Sequence, residues 1–254
     1  MKSQITNVPR PPTFINYVHT LFAWPLVALY TILMGSLSLT GSLFDRRGRW
    51  QHWCASTWSR MIAQTALLDV RVCGAEHLRA GESYVFLSTH QSWMDIPVML
   101  GYLPCQLRIA AKHAVFKIPF LGWHMTRSGQ IPIYRGSTAE SVESLERAAG
   151  LLGGGVSAFL FPEGTRSRDG WLQPLKKGGF RLALKSRLPV VPVTIRGTRA
   201  AMPRGSMVLR AGPVEMYLDP PVPTAHLKDE DLPALMRQVS EALESHLVTV
   251  GGRQ

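Results

Sequence analysis

A run of 24 consecutive uncharged residues, 21–44, ends abruptly on Asp45, Arg46, Arg47 and Arg49. It limits what this chain can become more than any other feature. About 20 apolar residues carry a helix across a hydrocarbon core of about 30 Å, so the run is long enough for one membrane span. Its composition leaves a second reading open. Pro25 and Gly35, followed by Ser36, Ser38, Thr40, Gly41 and Ser42, suit two shorter helices that dip into one leaflet. A secretory signal fits poorly, because its apolar region is usually about 7–15 residues long and precedes a small-residue cleavage site. If the run spans, the arginines on its carboxyl side place the rest of the chain in the cytoplasm. Residues 50–68 then mix Trp53, Trp58, Met61 and Leu67 with His52, Arg60 and Gln64, the pattern of an amphipathic helix.

Beyond residue 70 the periodicity changes. Short apolar runs at 84–87, 158–161, 190–195 and 214–218 alternate with helical stretches at 141–152 and 178–187. Such alternation predicts an α/β fold, a central largely parallel sheet flanked by helices, preceded by a membrane-anchoring helix or helix pair. Residues 229–248 form a last helix with Leu232, Leu235, Val239, Leu243 and Leu247 along one face. With 46% hydrophobic and only 18% charged residues, the chain is too apolar to remain disordered. Its 28 Lys and Arg against 17 Asp and Glu, a formal charge of +11, favour an anionic partner: nucleic acid, anionic lipid or a phosphorylated small molecule. Cys54, Cys73 and Cys105 are spaced for neither a zinc site nor a disulfide framework, which suits a reducing compartment. Walker A, G-x-G-x-x-G, H-E-x-x-H and G-x-S-x-G patterns are all missing from the sequence, which removes support for several common enzyme classes.

Two segments carry candidate chemistry. In YVFLSTHQSWMD, residues 84–95, the apolar run is a buried strand and His90 lies on the turn at its carboxyl end, the edge where open α/β sheets bind ligands. Ser92 reads as a helix N-cap, with Asp95 completing a capping box. The same turn lets Asp95 fold back on the imidazole, hold one ring nitrogen as a donor and leave the other as a base. On spacing alone, Asp95 as a cap and His90 as a polar turn residue is the favoured reading. In FPEGTRS, residues 161–167, a second strand end carries Glu163, the backbone N–H groups around Gly164 and Thr165, and Arg166, whose planar fork suits a phosphate monoester. Lys112 in AKHAVFKIPFLG and Arg135 in GQIPIYR are further candidate anion contacts. Pro192 in VPVT predicts an edge or irregular strand position.

THQSWMD, GQIPIYR, FPEGTRS and VPVT, in this order, resemble the four blocks of the glycerolipid acyltransferases, most of all the 1-acyl-glycerol-3-phosphate acyltransferase family. The resemblance runs over roughly residues 65–225, with some 70 residues between its two most telling blocks. It implies that His90 is a general base oriented by Asp95, drawing the proton from a glycerol hydroxyl that attacks an acyl thioester of coenzyme A or acyl carrier protein. Glu163, Gly164, Thr165 and Arg166 would belong to the acceptor site, with Arg135 and Lys112 on its phosphate. Neither metal, cofactor nor covalent acyl-enzyme is expected. The implied partners are a lipid bilayer, lysophosphatidic acid and the acyl donor, without nucleic acid. The implied organisation is a membrane-associated segment, 1–64, and an acyltransferase domain, 65–254, on the cytoplasmic face of a cellular membrane, the bacterial inner membrane being the one expected. Two residues depart from the common pattern: Thr89 stands where Asn often precedes the His, and Pro132 where an aromatic is usual. Competing readings are a different lysophospholipid or lyso-aminolipid acceptor, a lipase or thioesterase with a nucleophile near His90, and a non-catalytic basic membrane-binding protein.

Overall fold

The computed structural model describes residues 8–45, 47–134 and 138–247, so Arg46, Arg135 and Val248 lie outside the described residues. The apolar run forms one unbroken helix, α1 (Phe14–Gly41), rather than two. Thr13 starts it, its backbone N–H donating to Oδ1 of Asn16 at 2.9 Å, and Pro25 is carried inside it. After a turn, α2 (Arg49–Thr65) begins behind Gly48, whose φ of 71° is left-handed. The Asp45 carboxylate accepts N–H groups from Arg47 and Trp50, putting negative charge at the positive end of α2. One side of α1 is fastened to the remainder of the molecule. Thr20 Oγ1 accepts the Leu209 N–H at 2.9 Å, Trp24 Nε1 donates to the Met207 carbonyl and Trp58 Nε1 donates to Thr31 Oγ1. Ser38 Oγ lies 2.6 Å from His124 Nδ1. The opposite side leaves Phe14, Ile15, Leu21, Phe22, Leu29, Ile32 and Leu33 exposed.

Seven strands then build one sheet: β1 (Leu68–Cys73), β2 (Val85–Ser88), β3 (Gln106–Lys112), β4 (Ile131–Ile133), β5 (Val156–Leu160), β6 (Val190–Arg196) and β7 (Gly212–Leu218). Their order is β1-β7-β6-β2-β5-β3-β4. The five from β6 to β4 are parallel, whereas β7 pairs antiparallel with β6 and carries β1 parallel to itself. The largely parallel sheet is thus as expected, with β2 in the middle. Helices α3 (Asp95–Tyr102), α4 (Leu121–Arg127), α5 (Thr138–Ala149), α6 (Gly178–Ser186), α7 (Thr198–Ala201) and α8 (Leu232–Leu247) connect or cover it.

Successive strand side chains point to opposite faces, and the two cores follow that alternation. Phe86, Phe159, Val191, Val193 and Ile195 pack with Ile62, Ala63, Val98, Met99 and Met202 of the α2, α3 and α7 side. Val85, Leu87, Ala158, Leu160 and Val190 pack with Phe180, Leu182, Leu235, Val239 and Leu243 of the α6 and α8 side. Each fully buried side chain of this kind contributes about 1.5–3 kcal/mol. Leu247 is only half-buried, so the apolar face of α8 stops at Leu243. Pro192 corrects the sequence expectation: it lies in β6, an interior strand paired on both sides. It is tolerated because the ladder with β7 stops at Leu218; the Pro192 carbonyl accepts the Asp219 N–H at 3.1 Å, and the missing donor falls beyond the end of β7.

Because β2, β3, β4, β5 and β6 run the same way, their carboxyl ends share one edge of the sheet. That edge receives His90 after β2, Lys112 at the end of β3, Glu163 after β5 and Thr198 after β6.

Candidate active site

His90 leaves the middle strand at this edge. Its Nδ1 lies 2.9 Å from Oδ2 of Asp95, the first residue of α3. A carboxylate only accepts, so Nδ1 carries the hydrogen, and in the neutral ring Nε2 is then the acceptor nitrogen. Asp95 is fully buried and its charge is met on all sides. Oδ2 also accepts the backbone N–H groups of Gln91 and Ser92, at 2.7 and 2.8 Å, while Oδ1 accepts Thr198 Oγ1 at 2.6 Å. The expected capping box is not formed: Met94, not Ser92, is the N-cap of α3, with no side-chain cap bond. The Asp95 carboxylate takes the Ser92 N–H, but Ser92 Oγ turns to the Met94 N–H and donates to the Met202 carbonyl.

The His90 ring stacks on Phe161, centroids 3.7 Å apart and planes 12° off parallel, which fixes the ring orientation that the Asp95 bond selects. The backbone of His90 is held by the other loop. Its N–H donates to Glu163 Oε1 at 2.7 Å, and its carbonyl accepts the Ser167 N–H at 2.8 Å. Glu163 Oε2 accepts the Gln173 N–H at 3.0 Å, and Gln91 Nε2 donates to the Gly170 carbonyl. The structure therefore places Glu163 buried, as a clip between His90 and the far end of its own loop. Gly164 turns that loop at φ +68°, with the Lys176 side chain so close that a Cβ there would meet Nζ at 2.8 Å. Thr165 is exposed. Arg166 is half-buried, its guanidinium 5.6 Å from the Trp93 ring centroid, and its carbonyl accepts Arg204 Nη1 at 2.7 Å. Lys112 stands exposed at the same edge, two strands from β2.

The arrangement thus brings His90, Asp95, Glu163, Gly164 and Arg166 together and leaves Lys112 apart. Sequence reading missed Phe161 as the stacking partner and Thr198 as a donor to Asp95. The available signal for Thr198 was its place directly after a strand parallel to β2, which brings it to the edge that holds His90.

Burial sets the ionisation of three groups. Glu163 is pushed up to about 7, chiefly by burial, against the pull of its two N–H donors. His52 and His124 are held down to about 4, by burial first and by the Arg108 charge next. Between pH 6.5 and 4 the unfolded chain takes up protons at both imidazoles that the folded protein refuses, so their contribution to stability is lost as pH falls through that window. Each costs up to about 1.4 kcal/mol per pH unit. Glu163 has the opposite sign: the folded carboxyl holds its proton between 4.5 and 7, and its contribution is lost as pH rises. Two groups outweigh one, so Tm should fall between pH 6.5 and 5. The double variant His52→Gln/His124→Gln keeps only the Glu163 contribution, so in a Tm series in detergent the fall should vanish or reverse. An unchanged slope in the double variant counts against the assignment.

A family model described as Acyltransferase matches residues 69–196, a span that contains His90, Asp95, Glu163 and Arg166. The chain is 37% identical over 198 residues to the chloroplastic 1-acyl-sn-glycerol-3-phosphate acyltransferase of Brassica napus, covering 75% of this chain and 57% of that protein. It is 30% identical over 250 residues to the 1-acyl-sn-glycerol-3-phosphate acyltransferase of Chlamydomonas reinhardtii, covering 95% of this chain and 74% of the other. The chain spans little more than half the length of the Brassica napus protein and about half that of its Arabidopsis thaliana counterpart. The crystal structure of PlsC, the 1-acyl-sn-glycerophosphate acyltransferase of Thermotoga maritima, shares the fold, with a TM-score of 0.77, 24% identity and coverage of 91% of this chain and 95% of that one. With half of its length inside the family model and 95% of it aligned to a relative at 30% identity, the chain belongs to the acyltransferase family.

Proposed function

We propose that the chain transfers a fatty acyl group from a thioester donor to the free hydroxyl of a 1-acyl-glycerol-3-phosphate, giving phosphatidic acid. The observation that carries this reading is the His90–Asp95 pair, buried at its carboxylate end and clipped at its backbone to the loop that bears Arg166. His90 Nε2 takes the proton of the acceptor hydroxyl as its oxygen attacks the thioester carbonyl. The tetrahedral adduct then expels sulfur, the C–S bond breaks, and the proton on His90 passes to the thiolate. Asp95 holds the imidazole in the required tautomer and stabilises the transient imidazolium. A thioester is already activated, so the residues need supply only a base, orientation and binding of the phosphate. The names of the relatives support the acceptor; coenzyme A and acyl carrier protein both remain compatible as donor carriers.

Arg166 is the acceptor-phosphate contact in this reading, its guanidinium kept in place by the Trp93 ring. Arg166→Ala should raise the acceptor KM by roughly tenfold or more with a smaller change in kcat, the signature of a lost ground-state contact. An unchanged acceptor KM would remove Arg166 from the phosphate.

The membrane is the second part of the proposal. Only 11% of the most apolar window of α1 is buried, too little for a core helix. Yet bonds through Thr20, Thr31 and Ser38 hold one side of α1 to the domain along its length. A helix tethered in this way lies with its bare side in one leaflet and brings the sheet edge to the bilayer surface, with Arg47 and Arg49 at the headgroups. The reaction is tested with detergent-solubilised protein, an acyl-coenzyme A and lysophosphatidic acid. Formation of phosphatidic acid is expected, and release of free fatty acid without acceptor would instead favour a hydrolase.

A further inference from the structure

We propose that Thr198 is a positioning residue for the reaction, fixing the plane of the Asp95 carboxylate and through it the His90 ring. The inference rests on the reading of His90 as the base. Three donors, His90 Nδ1 and the backbone N–H groups of Gln91 and Ser92, converge on Oδ2 of Asp95, all from one short loop. Bonds to a single oxygen leave the carboxylate free to turn about the line through that oxygen. The bond from Thr198 Oγ1 to Oδ1, at 2.6 Å, comes from α7, the helix that follows β6, and supplies the second fixed point. Because a carboxylate cannot donate, the Thr198 hydroxyl must, so the bond is charge-assisted and of the stronger kind.

The local structure is built to deliver this hydroxyl. Gly197 takes φ +93° between β6 and α7, and a Cβ there would run into the Pro213 carbonyl oxygen, so the chain can reverse at this point only without a side chain. Thr198 is fully buried, out of reach of any substrate. At the other end of α7 the Met202 carbonyl accepts Ser92 Oγ at 2.7 Å, so one short helix grips the loop that carries both His90 and Asp95.

A hydroxyl that acts through Asp95 contributes to the chemical step and not to substrate binding. Thr198→Val should therefore lower kcat about tenfold, equivalent to about 1.4 kcal/mol of barrier, with both KM values unchanged, while Thr198→Ser, which keeps the hydroxyl, should stay within about twofold of wild type. The measurement is steady-state transfer on detergent-solubilised protein of matched Tm; if Thr198→Val does not purify folded, Thr198→Ala takes its place under the same criteria. A wild-type kcat in the variant lacking the hydroxyl, a rise in KM at constant kcat, or failure of serine to rescue would each overturn the role. His90→Ala in the same series separates the two levels. Activity retained there removes the base itself, whereas an inactive His90→Ala beside a fully active Thr198→Val removes only Thr198.

Discussion

His90→Ala is expected to abolish acyl transfer, by between about a hundredfold and ten-thousandfold, and to leave the fold in place. The two halves of that expectation come from different atoms. Catalysis is assigned to the imidazole, whose Nε2 is the acceptor nitrogen of the neutral ring when Nδ1 donates to Asp95. Structure is carried by the backbone of the same residue, through the N–H to Glu163 and the carbonyl to Ser167, and alanine keeps both. Asp95 also remains satisfied, since the Gln91 and Ser92 N–H groups and the Thr198 hydroxyl still reach it. The structural loss is one bond and the stack on Phe161, so the change in stability should stay within about 1 kcal/mol. Residual activity above a few per cent, with Tm unchanged, would rule out His90 as the base.

Asp95→Asn should do more harm, because it strikes both activity and fold. An amide can place its oxygen at the Oδ2 position and its NH2 toward Thr198, whose hydroxyl can turn to accept, so the geometry survives. The charge does not. Three N–H donors then share a neutral acceptor in a site with no solvent, at a cost of about 1–3 kcal/mol. The imidazolium that forms during transfer loses its counter-charge, and kcat should fall by about 10³–10⁴. Tm and kcat measured on the same preparation give the signature: activity alone for His90→Ala, both together for Asp95→Asn. A drop of only a few-fold in kcat, with stability lost, would return Asp95 to the role of a helix cap.

The parts of the fold legible in the sequence are those where one physical requirement dominates. β2, β5 and β6 are buried on both faces, so their sequences are nearly continuous apolar runs and announce themselves. β1 is an edge strand whose residues alternate between buried or half-buried and exposed, LDVRVC, and its charges hide it. β3 places Arg108 almost fully buried, where the guanidinium donates to the Leu107 and Arg47 carbonyls; a sequence pattern reads such a residue as surface. β4 has three residues, too few for any period. Pro192 looked like a strand edge because the rule concerns the missing donor, and the place where a neighbouring strand stops is not written in the segment itself. At the site, the spacing from His90 to Asp95 covers a single turn and could be read locally. The Thr198 hydroxyl meets Asp95 across 103 residues, a proximity that only the sheet order creates. Glu163 stood out as a chemical residue for a sound reason, a carboxylate in a tight turn at a strand end, but the direction in which it points depends on how the two loops are stitched.

The most direct test sets wild type and His90→Ala side by side, each offered an acyl thioester with lysophosphatidic acid and, separately, with a monoacylglycerol that lacks the phosphate. Phosphatidic acid formed by wild type alone, and little or no acylation of the unphosphorylated acceptor, is the expected result. Equal acylation of both acceptors would contradict the assigned substrate, and transfer by His90→Ala at the wild-type rate would contradict the mechanism.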